Sequence, residues 1–321
     1  MKGIVVLLNS WILLVSATTI NSCSENAGAH ESFSSSDSLL TEVQSSVVSD
    51  QFKNYWYAGK AEINSYKLRQ ARYGEIHDGT AVLIFVTEDI SKSKQVKLDH
   101  PENAGNDKLP VLKLNLTKKF VTGIYPYSMM MSAFSPVDIA NDPHAVKVTA
   151  SVQEWCGNTF TQINRRNDDF EMQWFSYFEN EGDQKITFTN CYLEDELWNL
   201  IRIDPNRLPQ GKQLVLPGSL YTRMTHISPK PQPATLSLEK SGDHFRYVIQ
   251  YDQSDHLLVI EFSKDFPFQI TGWSEKFAGF DGKVLETTAA LDRSIMSSYW
   301  QHHSNADRPL REQLDLPRDW Q

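Results

Sequence analysis

The chain has no surplus of positive charge. Its 31 Lys and Arg stand against 40 Asp and Glu, a formal net charge of −9. That balance gives no nucleic acid or anionic membrane surface as the main partner. Long apolar runs are also lacking. Beyond the N-terminus no segment approaches the roughly 18 apolar residues of a membrane-spanning helix. Enzyme signatures are missing as well. There is no Gly-x-Ser-x-Gly elbow, and Pro217-Gly218-Ser219-Leu220 reads as a turn. His-Glu-x-x-His, the P-loop and the dinucleotide glycine fingerprint do not occur. Gly211-Lys212 and Gly282-Lys283 lack the rest of a phosphate cradle, which argues against nucleotide enzymes. No cofactor and no catalytic residue are implied, and no internal repeat of fixed period is visible.

What is present begins with an apolar N-terminal run. Lys2 is its only positive charge; Ile4 to Leu8 and Trp11 to Val15 are its apolar core. About a dozen residues is the length of a signal-peptide core. Ile20-Asn21-Ser22-Cys23 then resembles a bacterial lipobox, although Asn21 is a mild departure. Cleavage before Cys23 makes it the lipidated N-terminus, an anchor of palmitate-type acyl chains. Two or more such chains hold stably, at about 0.8 kcal/mol per buried CH₂. The plain alternative is secretion with a chance cysteine. Ser24 at the next position points to the outer membrane. The lack of an acidic run in Ser24-Glu25-Asn26 favours the periplasmic face over the cell surface.

With Cys23 acylated, Cys156 and Cys191 remain. An even pair in an oxidising compartment points to a disulfide. Such a bridge would contribute about 4 kcal/mol by restricting the unfolded chain. The other reading is two buried free thiols.

Residues 1–22 therefore read as a lipoprotein signal peptide. Residues 23–50, rich in Ser, Asp and Glu, read as a flexible tether. From residue 51 on, strands dominate. Ala81-Val82-Leu83-Ile84-Phe85-Val86 fits a strand covered on both faces. Val146, Val148, Ala150 and Val152 alternate with polar residues, and the phase slip at Trp155 predicts a bulge near Gln153 or Glu154. Phe170, Met172 and Trp174 alternate, and so do Phe245, Tyr247, Ile249 and Tyr251. Residues 194–202 form the best helix, its leading Glu194-Asp195-Glu196 explained by the helix dipole. Pro205, Pro209, Gly211, Pro217 and Gly218 mark a boundary, giving β-rich lobes over 51–203 and 204–321. The predicted class is all-β: curved antiparallel sheets in half-barrel or clam-like meanders, with few short helices.

Candidate sites are few. His302-His303 with Asp307 cannot easily share an ion, because adjacent strand residues face opposite ways. Asp168-Asp169 with Glu171 reads as a loop and strand start rather than a calcium turn or a catalytic pair. No metal centre is predicted. Lys60, Glu62, Arg69, Arg72 and Glu75 could line a polar groove, with paired charges on a solvated face as the default. Met129, Met130 and Met131, flanked by Tyr125, Tyr127 and Phe134, could line an apolar ligand groove, since Met adapts to varied ligands; buried filler is the alternative.

Several stretches together carry a family resemblance: WYAGKAEINSYKLRQARYGE at 56–75, AVLIFVTEDI at 81–90, residues 125–134, and LPGSLYTRMTH at 216–226. With these the chain resembles Gram-negative lipoproteins of unassigned function labelled "septum formation inhibitor Maf". The Ser-x-Ser-Pro-Arg-Arg loop of the Maf nucleotide pyrophosphatases does not occur here. Residues 234–273 are more distantly similar to LolA-like periplasmic carrier domains, whose curved sheet surrounds a hydrophobic groove. The first reading, supported by the anchor, is an outer-membrane-anchored binding or accessory protein for an apolar ligand or an envelope partner. Two rivals stand beside it: a carboxylate-dependent hydrolase of envelope or dietary glycan, and a structural subunit of an envelope assembly.

Overall fold

Period-two alternation makes strands of most of this chain, and antiparallel turns join them in sequence order. A computed structural model describes residues 49–279 and 282–317. Cys23, the signal peptide and nearly all of the expected tether lie outside the described residues. Ser49 caps the first helix, α1 (Asp50–Trp56), by accepting from the Phe52 N–H.

Eight strands follow: β1 (Ala61–Arg72), β2 (Glu75–Ser91), β3 (Lys108–Thr122), β4 (Tyr125–Pro136), β5 (Lys147–Glu154), β6 (Gly157–Arg166), β7 (Asp169–Ser176) and β8 (Gln184–Thr189). The short β9 (Tyr192–Leu193) leads into α2 (Glu194–Ile203). Then come β10 (Gly211–Leu216), α3 (Ser219–Thr225), β11 (Gln232–Ser241), β12 (His244–Tyr251), β13 (Leu257–Ser263), β14 (Ile270–Ala278) and β15 (Val284–Ser297).

All fifteen strands join one curved, open sheet, so the all-β expectation holds. Its order is β8-β7-β6-β5-β4-β3-β2-β1-β15-β14-β13-β12-β11-β10-β9. Among the described residues only β9 and β10 pair in parallel. The expected division at 203/204 falls between α2 and β10. Strands β1 to β8 lie on one side of the β1–β15 seam and β9 to β15 on the other.

β2 is covered on both faces, as its apolar run predicts. Ala81, Leu83 and Phe85 enter the main core. Val82 and Ile84 pack with Leu314, from the 3-10 turns of Asn305–Leu314. The bulge expected near Gln153 is not formed. Gln153 pairs with Asn158 and Glu154 with Gly157 in unbroken register. The change of phase at Trp155 marks instead the tight turn between β5 and β6.

The Cys156–Cys191 bridge is not formed either: both thiols are free. Cys156 precedes Gly157 at one end of β6, which has ten residues. Cys191 follows Thr189, and pairing runs from Thr189 to Asp169 to Arg166 at the other end of β6. Ten strand residues span about 30 Å, whereas bridged Cα atoms lie within about 7 Å.

α2 sits within the curve of the sheet. Glu194 through Arg202 are all buried, although five of these nine residues are polar. The helix is tied to the sheet on several sides. Asn199 donates to the Leu112 and Ala133 carbonyls and to Ser135 Oγ, each at 3.1 Å. Arg202 pairs with Glu62 of β1, and the Trp198 ring meets Trp273 of β14 edge-on. A helix buried all round is usually apolar all round. This one instead pairs most of its polar groups, Asn199 Oδ1 excepted.

Candidate functional site

Antiparallel pairing sends the β1–β2, β3–β4, β5–β6 and β7–β8 turns to one edge of the sheet. Arg69 pairs with Thr288, so β15 starts at that same edge. Leu257 pairs with Lys276, which brings the β12–β13 turn there too. The site lies just inside this edge, where α3 and the first turn of α2 meet the sheet.

The N-terminus of α2 favours carboxylates through its dipole, and the sequence reading stops there. The structure gives each of the three acids a partner of its own. Glu194 Oε2 accepts from the Tyr251 hydroxyl at 2.7 Å. Asp195 Oδ2 accepts from the N–H and Oγ of Ser219 at 3.0 and 2.5 Å. Glu196 accepts from the Ala145 and Leu193 N–H groups and lies 3.0 Å from His144 Nδ1. A Cβ on Gly218 would force the Glu194 carboxylate out of its place.

Two more elements bring charge to Glu194. His256, in the β12–β13 turn, places Nε2 at 3.3 Å from Glu275 Oε1 and 4.0 Å from Glu194 Oε2. Lys118 of β3 places Nζ at 3.8 Å from Glu275 Oε2. The His256 ring is held between two parallel tyrosines, Tyr221 at 3.5 Å and Tyr251 at 4.6 Å. Burial pushes the Glu194 carboxyl up to about 7, against the pull of His256 and with repulsion from Glu275 adding to it. Burial likewise raises Asp195 to about 6, opposed by Ser219. Glu275 is equally buried, but Lys118 and His256 outweigh that and hold it below the usual carboxylate range. A cavity of about 30 Å³ adjoins Glu194, Asp195, Glu275 and Lys118, room for about one water molecule.

Tyr221 forms part of this cavity and also of a larger pocket of about 350 Å³. The pocket walls include Ala71, Tyr221, Met224, Ile227, Phe277 and Leu285. Its polar lining is Arg72, Tyr73, Thr225, Ser254, Asp255 and His256. Arg72 is tied down, donating to the Met224 carbonyl and to the hydroxyls of Tyr127 and Tyr73. Its guanidinium lies 4.2 Å from the centre of the Tyr73 ring.

The methionine segment does not form a shared groove. Alternation on β4 turns Tyr127, Met129 and Met131 into the core, while Met130 is exposed and Tyr125 and Phe134 are half-buried. Tyr127 touches two residues of the pocket wall, Arg72 and Tyr73, through its hydroxyl. His302 and His303 are exposed. Of the five charges near the first strands, Lys60, Arg69 and Glu75 are exposed. Glu62 and Arg72 are buried, which corrects the reading of a solvated face. Parity carried that signal. Glu62 and Arg72 share their strand face with Tyr66 and Leu68, two core residues.

No protein-family model matches the chain, and no curated protein matches it. Among solved structures it is similar to a DUF1089 family protein from Pseudomonas aeruginosa, with 12% sequence identity. The match covers 50% of this chain and 82% of that one at a TM-score of 0.32. So loose a likeness transfers neither fold nor function.

Proposed function

We propose that this protein is an outer-membrane-anchored lipoprotein, facing the periplasm, that binds a small and largely apolar ligand. The observation that carries the reading is the 350 Å³ pocket at the turn edge of the sheet. Apolar walls with a few polar groups, at a volume above about 300 Å³, are the usual features of a small-molecule site. The lipobox at Cys23 and the resemblance to Gram-negative lipoproteins support the location. An anchored binder also gains effective concentration at the membrane.

The geometry favours this over a glycan hydrolase. Glycosidase carboxylates flank a bound sugar, at about 5 to 9.5 Å. Donor atoms of Glu194 and Glu275 lie within 4.8 Å of each other, and the cavity between Tyr221 and α2 holds only about 30 Å³. No sugar ring fits there.

Two measurements test the proposal. Leu285→Trp fills the pocket from its rim. It should weaken binding of a polarity-sensitive apolar dye by at least about tenfold, while the melting temperature stays within a few degrees. Undiminished dye binding in a folded variant rules the pocket out. Cys23→Ala should move the protein from the membrane fraction to the soluble one, or block its processing. Unchanged membrane recovery with normal processing refutes the anchor.

A further inference from the structure

The charged groups behind Tyr221 are spaced unlike ordinary buried ion pairs. Charge-assisted hydrogen bonds close to about 2.7–2.9 Å. Here His256 Nε2 stands 3.3 Å from Glu275 and 4.0 Å from Glu194, and Lys118 stands 3.8 Å from Glu275. All four side chains are at least nine-tenths buried. Water does not fill these gaps in bulk, since the adjoining cavity measures about 30 Å³.

We propose that Glu194, His256 and Glu275 form a buried site for one divalent transition-metal ion of the Zn²⁺ class. Metal–ligand bonds of about 2.0–2.2 Å in a tetrahedral shell put donor atoms about 3.4 Å apart. The His256–Glu275 separation already fits, and the His256–Glu194 one closes with a shift of about half an ångström. The donors come from three elements, α2, the β12–β13 turn and β14, and lie within 4.8 Å of one another. The small cavity supplies space for a fourth, water ligand. Ca²⁺ does not suit the site, because it takes six to eight oxygen ligands.

The two carboxylates have the outer partners such an ion needs, while His256 Nδ1 has no hydrogen-bond partner among the described residues. Tyr251 donates to the ligating carboxylate of Glu194, and Lys118 approaches the second oxygen of Glu275. Partners of this kind orient metal ligands. Two tyrosine rings fix the plane of His256. Charge also closes. With all three carboxyls ionised, Glu194, Asp195 and Glu275 carry three negative charges and Lys118 one positive, so a dication beside a neutral imidazole makes the cluster neutral. Buried clusters with uncompensated charge are costly.

The test uses the whole mature protein, stripped with a chelator and titrated with Zn²⁺ alone. One equivalent should bind per chain, and the melting temperature should rise by at least about 5 °C at hundredfold excess over Kd. His256→Gln and Glu275→Gln should each lower affinity at least about tenfold, whereas His302→Ala with His303→Ala should leave it unchanged. Ca²⁺ should neither bind nor compete. The thermal shift of the unaltered protein keeps the test decisive even where a variant folds poorly. Absence of a thermal shift and of stoichiometric binding overturns the proposal. So does binding that survives His256→Gln and disappears with the exposed histidine pair.

Discussion

Arg202→Met should destabilise the protein by about 3–5 kcal/mol, a large part of the roughly 5–15 kcal/mol that holds a domain folded. Arg202 and Glu62 are both fully buried, and two parallel N–H···O bonds of 2.7 Å join them. Arg202 Nε also donates to the Pro267 carbonyl at 2.9 Å. Its guanidinium lies 5.0 Å from the Trp56 ring centre and 4.5 Å from that of Phe85. Glu62 in turn accepts from the Tyr55 hydroxyl and from Asn64 Nδ2. Burial alone would raise the Glu62 carboxyl, yet Arg202 and these donors together hold it below its ordinary value. Methionine matches the bulk of arginine but leaves that carboxylate buried without its cation. Arg202→Lys should fail as well, because an ammonium cannot reproduce the fork. Arg202→Met combined with Glu62→Gln should recover much of the loss, since the stranded charge is gone. Urea denaturation measures each step. A loss below about 1 kcal/mol for Arg202→Met would place the pair among ordinary surface ion pairs.

The same pair shows how far the sequence reaches. Alternation located β5, β7 and β12, and a continuous apolar run located β2, because each buries one face or both and the code for burial is local. α2 was legible from its helical spacing. Its acids were not, because a dipole accounts for Glu194, Asp195 and Glu196 equally well on the surface and in the interior. Glu62 and Arg72 were legible in principle, through the parity they share with Tyr66 and Leu68. Their partners were not: Arg202 and Met224 are far along the chain and arrive only through sheet curvature. The cluster of Glu194, His256 and Glu275 has the same origin. Three elements distant in sequence converge because β12, β13 and β14 fold back beside α2, and no motif spacing encodes that. Cys156 and Cys191 mark the opposite failure. A count of cysteines suggested a pair, while the length of β6 keeps them apart.

The methionine run gives the second large effect, and it divides sharply by position. Met129→Ala and Met131→Ala should each cost about 2–5 kcal/mol, and both together should prevent folding. Met130→Ala should cost less than about 1 kcal/mol, as surface changes do. The reason is the pleat of β4, a central strand between β3 and β5. Met129 stands opposite Lys118 and Val152, and Met131 opposite Leu116 and Ala150. Both side chains are 2% exposed and belong to the main core, whereas Met130 is 39% exposed on the other face. Met131 also borders the small cavity beneath Tyr221, so shortening it enlarges an existing void and its cost should fall toward the upper end of the range. Thermal denaturation of the three single variants decides the matter. Were Met130→Ala the most damaging, or all three equal, these residues would form one shared surface rather than the two faces of a strand.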